Sequence, residues 1–156
     1  MSNNSLLRRL IYIFSFSNNQ IREIFALENV VVSSAMLSHW LKKETGPQFQ
    51  GMPDVYMAAF LNGFITLKRG RKEGVVPPVE KELTNNLKLR KLKIALSLID
   101  QDIIDLIAST GLHISKHEVS SFFRGPEQRQ YVELNDQILR NFMQGLEKRE
   151  SAKAKK

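Results

Sequence analysis

Asn3-Asn4-Ser5-Leu6-Leu7-Arg8-Arg9-Leu10 returns as Asn85-Asn86-Leu87-Lys88-Leu89-Arg90-Lys91-Leu92, 82 residues later and without a gap. The register holds onward, with Ser15 on Ser97, Ile21 on Ile103, Ala26 on Ala108, Ser33 on Ser115 and Ser38 on Ser120. It closes with Gln48 on Gln130, Asp54 on Asp136, Phe60 on Phe142 and Gly63 on Gly145. Between the identities apolar answers apolar, as in Phe14/Leu96, Ile24/Leu106 and Trp40/Phe122. Self-similarity at one fixed period marks a single supersecondary unit used twice.

Each unit reads as four helices. Helix 1 follows the Asn-Asn pair, which is placed to cap its free N–H groups, and shows Leu6, Leu7, Leu10, Ile13 and Phe14 at the spacing of one helical face. Helix 2 opens at the capping box Ser17-x-x-Gln20, and at Asp100 in the second unit. It ends at Asn29 or Gly111, residue types that tolerate the left-handed backbone. Helix 3 opens at Ser33 and at the box Ser115-x-x-Glu118. It packs through Met36, Leu37, Trp40 and Leu41, with Val119, Phe122 and Phe123 as counterparts. Helix 4 starts at Pro53-Asp54 and Asn135-Asp136, where an acid suits the helix dipole, and runs to about Lys68 and Arg149. Gly63 and Gly145 lie inside it, and their recurrence predicts close backbone contact, helix 4 against helix 4.

The expected architecture is therefore all-α: two tandem four-helix repeats, each with a helix-turn-helix-like middle pair, related by a pseudo-twofold axis. The divisions are 1–69 for the first repeat, 70–84 for the linker, 85–150 for the second repeat and 151–156 for a basic, disordered tail. Pro77-Pro78 stops a helix from running through the linker, which reads as extended. A repeat of roughly 65 residues buries too little surface to stand alone, so the two are expected to share a core and unfold together.

Composition narrows the class of function. An apolar fraction of 42% and a charged fraction of 25% are those of a globular protein. The absence of cysteine removes disulfides, iron–sulfur clusters and thiolate zinc sites, and fits a cytoplasmic setting. Arg8-Arg9 followed by Leu10–Phe16 mimics the front of a signal peptide. That apolar run is short and is broken by Ser15, and it recurs in mid-chain at Leu89–Leu98. Nothing is long enough to span a bilayer, so no membrane partner is expected. The net charge of +7 points to an acidic partner.

Helices 2 and 3 with their connection resemble a helix-turn-helix. Helix 3 would then present Ser34, Ala35, Ser38, His39, Lys42 and Lys43, and in the second unit Lys116, His117, Ser120, Ser121 and Arg124. The turns, read as 29–32 and 111–114, are longer than the tight turn of DNA readers. A second basic run, Lys68-Arg69-Gly70-Arg71-Lys72, suits a phosphate backbone. It equally suits the negative end of helix 4. The candidate nucleic-acid contacts are thus Lys42, Lys43, Lys68, Arg69, Arg71, Lys72, Lys116 and Arg124.

His113 and His117 have metal-ligand spacing, but Ser115 reads as a helix cap between them, so they are expected to diverge. No nucleophile elbow, phosphate-binding glycine loop or paired buried carboxylates mark a catalytic centre, and no cofactor is predicted. Asp54 and Asp136 are explained as helix-start acids.

The pattern Asn-Asn-x2-Leu-Arg-x-Leu, with Phe60-Leu61-Asn62-Gly63-Phe64-Ile65 and Lys68-Arg69-Gly70, resembles the family of small bacterial proteins that includes YehS. The resemblance spans essentially the whole chain. It implies a cytoplasmic bacterial protein with the duplicated unit, from a family without assigned function, and carries over no catalytic or binding residues. The second unit departs at Gln144, opposite Asn62, and lacks the Lys-Arg-Gly ending. The reading that results is a binding or adaptor protein without turnover. Its first candidate partner is DNA or RNA, and the alternative is another protein.

Overall fold

A computed structural model of the chain describes residues 1–71 and 78–154. Every regular element among them is helical: α1 Asn3–Phe14, α2 Asn18–Ala26, α3 Ser34–Trp40 and α4 Asp54–Arg69, then α5 Asn85–Ala95, α6 Asp100–Ala108, α7 Lys116–Phe122 and α8 Asp136–Ala154. The all-α reading and the two four-helix repeats hold. The chain divides into two compact units, Ser2–Leu83 and Met1 with the residues from Thr84 onward.

Local signals place most helix ends where the side chains demand. Ser17 and Gln20 form a reciprocal box at the start of α2, and Ser115 and Glu118 do the same for α7. Ser33 caps α3. Before α6, where Ile99 offers no polar side chain, the Asp102 carboxylate accepts the Ile99 N–H at 2.8 Å. Ser15 and Ser97 close α1 and α5 in the left-handed region, with φ 55 and 53, and Asn29 and Gly111 follow α2 and α6 with φ 60 and 93.

The Asn-Asn pairs do something other than cap. Ser2 and Thr84 are the caps of α1 and α5. The asparagines start the helices and turn inward to hold the long connection before α4 or α8. Asn4 donates to the carbonyls of Trp40 and Gln50, both at 2.9 Å, and accepts the Met52 N–H at 2.9 Å. Asn86 repeats the pattern on Phe122 at 3.0 Å, Val132 at 2.8 Å and Leu134 at 2.9 Å. Every partner is the first unit's partner moved on by 82. Asn3 reaches the Met52 carbonyl and the Asp54 carboxylate at 3.0 and 2.7 Å, and Asn85 reaches Leu134 and Asp136 at 3.1 and 2.8 Å. A connection without regular structure has backbone groups that need partners, and these amides supply them.

The helix-start aspartates complete the clamp. Asp54 accepts the Leu83 N–H at 2.8 Å, and Asp136 takes the Met1 α-ammonium at 2.6 Å. Met1 and Leu83 are the same position of the repeat. The Met1 hydrogen bond first, then that of Asn85, holds the Asp136 carboxyl at about 2, below its ordinary 3.8. A folded-state value below the unfolded one stabilises above the ordinary carboxylate range, and the contribution is lost as pH falls toward about 2. Asp136 is half exposed, so the effect on stability is small. The expected NMR titration midpoint for this carboxyl is about 2. An ordinary carboxylate midpoint would mean that the ion pair is absent in solution.

The recurrent glycines allow α2 to approach α4, and α6 to approach α8, which corrects the expected contact of helix 4 with helix 4. A Cβ on Gly63 would stand 2.2 Å from the Ile24 carbonyl oxygen, and one on Gly145 would stand 2.0 Å from that of Leu106. Ile24 and Leu106 are again repeat partners. Around this approach the first unit packs aromatic rings: Phe25 lies 5.4 Å from Phe60, and Trp40 lies 5.2 Å from Tyr56. The second unit buries Ile107, Phe122 and Phe142 at the places of Phe25, Trp40 and Phe60. Fully burying each such side chain stabilises by about 1.5–3 kcal/mol.

Two expectations at the chain's joints change. α8 continues to Ala154, so residues 151–154 are helical, with Lys153 paired to Glu150 at 3.1 Å. Alanine and lysine sustain a helix there, and a lysine suits its last turn. Residues 155 and 156 lie outside the described residues, as do Gly74, Val75, Val76 and Pro77 of the linker. Arg71, Pro78 and Leu83 of the linker make contacts with the first unit, while Thr84 caps α5. Asn62, wholly buried in α4, donates to the Pro78 carbonyl at 2.9 Å, and Leu83 is buried. Its counterpart Gln144 is exposed, which accounts for the departure at that position.

Candidate functional site

The helix pairs differ from a tight helix-turn-helix. Residues 27–33 separate α2 from α3, and residues 109–115 separate α6 from α7, longer connections than the sequence suggests. α3 and α7 are each 7 residues long. On α3, Ser34, Ala35 and Ser38 are exposed while His39 is half-buried. The Ser34 hydroxyl is already met by Arg22 at 3.3 Å, and Arg22 also donates to the Val32 carbonyl at 2.9 Å. On α7, Lys116 and His117 are exposed, but Ser121 is buried and donates back to the Glu118 carbonyl, so it is not presented outward.

Exposed cations also stand at the ends of these short helices. Lys42 and Lys43 follow α3 and are exposed. Arg8, exposed on α1, donates to the Lys42 carbonyl at 3.1 Å. In the second unit exposed Arg124 follows α7, and exposed Arg90 donates to the Phe123 carbonyl next to it. Lys42 and Arg124 share one repeat position, and Arg8 and Arg90 share another. Arg90 thus meets the C-cap carbonyl of α7, and Arg8 the carbonyl one residue beyond the C-cap of α3. Sequence reasoning did not single out Arg8 or Arg90. The signal was present, since both belong to the matched Leu7-Arg8 and Leu89-Arg90 pairs.

Lys68, Arg69 and Arg71 stand elsewhere, at the C-terminal end of α4. The Lys68 ammonium lies 5.4 Å from the Phe14 ring centre and 5.9 Å from that of Phe64. Arg69 is exposed. Gly70, at φ 74 and ψ 165, makes a turn that only glycine takes readily. Past it Arg71 turns back to pair with the buried Glu28 carboxylate and to donate to the Leu27 carbonyl at 2.8 Å. Arg71 is therefore committed to closing α2, and Lys72 lies outside the described residues. Lys42, Lys43 and Arg124 thus stand exposed at the ends of α3 and α7 with Arg8 and Arg90 beside them, Lys68 and Arg69 are exposed at the end of α4, and Lys116 is exposed on the first turn of α7.

Other chemistry is sparse. Among the described residues no group of three metal-ligating side chains gathers, and His113 precedes the Ser115 cap while His117 follows it. No helix among them is long and apolar enough to cross a membrane.

The motifs that carry the resemblance now have structural assignments: the Asn-Asn clamp, the Arg8 cap, the Asn62 hold on the linker and the Gly63 approach. The family model described as "Protein of unknown function (DUF1456)" matches residues 3–70 and 85–150, one match per repeat. The chain belongs to this family. It is also 37% identical over 155 residues to "Uncharacterized protein YehS" of Escherichia coli (strain K12), covering 98% of this chain and 99% of that protein. No solved structure matches. The family's two matched segments begin at Asn3 and Asn85, the residues that open the two clamps.

Proposed function

We propose that this DUF1456 protein is a binding protein for nucleic acid, engaging phosphates through the helix-end cations of its two repeats. What supports the reading is one observation: Arg8 with Lys42, and Arg90 with Arg124, are exposed at the same position of both units after a duplication that changed many neighbouring residues. In each unit the arginine is anchored by a hydrogen bond to the backbone, Arg8 on Lys42 and Arg90 on Phe123, so its charge is held near one place at little entropic cost. Such a site reads the phosphate backbone and carries no base identity. The net charge of +7 adds long-range attraction.

The test is fluorescence anisotropy with a mixed-sequence DNA duplex and a structured RNA at two salt concentrations. Binding at low salt should weaken steeply as salt rises. Charge reversal at Lys42, Lys43 and Arg124 should flatten the log–log slope by about 0.7–0.9 for each phosphate no longer neutralised. Arg71→Gln should leave the slope unchanged, because the Arg71 charge already serves Glu28. If the parent binds neither nucleic acid, or the triple variant binds as the parent does, the reading fails. The protein-interaction alternative would then lead, at the exposed Val31 and Leu27 on the α2–α3 connection.

A further inference from the structure

One cleft of the second unit has gained chemistry that its counterpart lacks. It holds about 440 Å³ between α7, the connection 124–135 and the first turns of α8. Pockets for small ligands span about 300–1,000 Å³. Its apolar wall includes Phe122 and Ile138, which replace the larger, closely packed Trp40 and Tyr56 of the first repeat. Around it, His117 stands for Ala35, Arg129 for Pro47, Tyr131 for Phe49 and Glu133 for Gly51. Glu118, replacing Met36, is occupied by the Ser115 N–H at 3.1 Å. Arg129 and Glu133 are exposed and carry opposite charge, yet among the described residues neither forms an ion pair. Burial, then the Glu133 carboxylate, raises the Tyr131 hydroxyl above its ordinary value, so that carboxylate lies within electrostatic reach of the phenol.

We propose that this cleft binds a small zwitterion of amino-acid or dipeptide size. Its carboxylate pairs with Arg129, its ammonium with Glu133, and its apolar side chain lies against Phe122 and Ile138. Two opposite charges flanking an apolar wall match a ligand with two separated charges and an apolar body better than a plain anion, which Glu133 would repel. Bidentate capture of a carboxylate is what an arginine does best. The first repeat has neither charge and sets the larger Trp40 and Tyr56 rings where Phe122 and Ile138 line the cleft, so one site per chain is expected.

The experiment is a ¹⁵N–¹H NMR titration of the full chain with leucine and with leucyl-leucine, to millimolar concentration. Saturable shifts should centre on residues 117–122 and 129–133. N-acetyl and C-terminal amide forms, each lacking one charge, should bind about tenfold more weakly or worse. Tighter binding of leucine assigns the ligand to free amino acids, and tighter binding of leucyl-leucine assigns it to peptides. Arg129→Gln should weaken binding about tenfold and remove the discrimination against the amide. Ile138→Tyr, which copies the first repeat's Tyr56, should abolish binding by filling the cleft. No saturable shift with either probe, or equal binding of the blocked forms, overturns the proposal. So does binding unchanged by Arg129→Gln, a surface substitution that leaves the core intact.

Discussion

Gly145→Ala is expected to lower stability by about 3 kcal/mol. The new Cβ would stand 2.0 Å from the Leu106 carbonyl oxygen, with further α6 backbone atoms at 2.6 and 3.1 Å. Backbone in the middle of a packed helix cannot give way as a flexible side chain can. α6 and α8 must therefore separate, which loosens the packing of Ile103, Ile107 and Phe142. Gly63→Ala should behave alike, meeting the Ile24 backbone from 2.2 Å. Gly51, with nothing within 4 Å of a Cβ, is the control, and its alanine variant should stay within about 0.5 kcal/mol of the parent. Urea denaturation measures all three. A Gly145→Ala protein as stable as the parent would mean that the helices do not approach this closely.

Asn4→Ala and Asn86→Ala should each cost about 3–5 kcal/mol. Neither change removes much apolar area, so hydrophobic loss alone predicts a small effect. The cost lies in the partners left behind. In the first unit these are the Trp40 and Gln50 carbonyls and the Met52 N–H, and in the second those of Phe122, Val132 and Leu134. A buried backbone group without a partner costs about 1–3 kcal/mol. Asn3→Ala should cost less, because Asp54 keeps the Leu83 N–H. Effects below about 1 kcal/mol at Asn4 would show that water replaces the amide freely.

These two predictions also mark where the sequence was readable. Helix starts at Ser17, Ser33 and Ser115, and the left-handed positions at Asn29 and Gly111, were legible because capping involves residues three or four apart. The apolar faces were legible from period alone, and the duplication doubled every signal. The asparagines were misread because their partners lie 36 to 51 residues away, and a polar pair before a helix has a cheaper local explanation. The same distance hid the partner of Gly63 and the return of Arg71 to Glu28, 43 residues back. At the candidate interface, charge was visible but its commitment was not. Sequence offered Lys42 and Lys43 and the run from Lys68 to Lys72 alike as contacts, whereas the fold leaves Lys42 beside Arg8 and turns Arg71 back onto Glu28. The cleft at Arg129 and Glu133 drew no attention because no motif marks it. It emerges only when the two repeats are compared around one cavity.

The most direct test of phosphate binding by the repeated helix-end cations is chemical-shift mapping of ¹⁵N-labelled protein with a short DNA duplex at low salt. Shifts should cluster at two places related by the repeat, around Arg8, Lys42 and Lys43 and around Arg90 and Arg124, and fade together as salt is added. Shifts confined to other surfaces, or none at saturating duplex, would contradict the account.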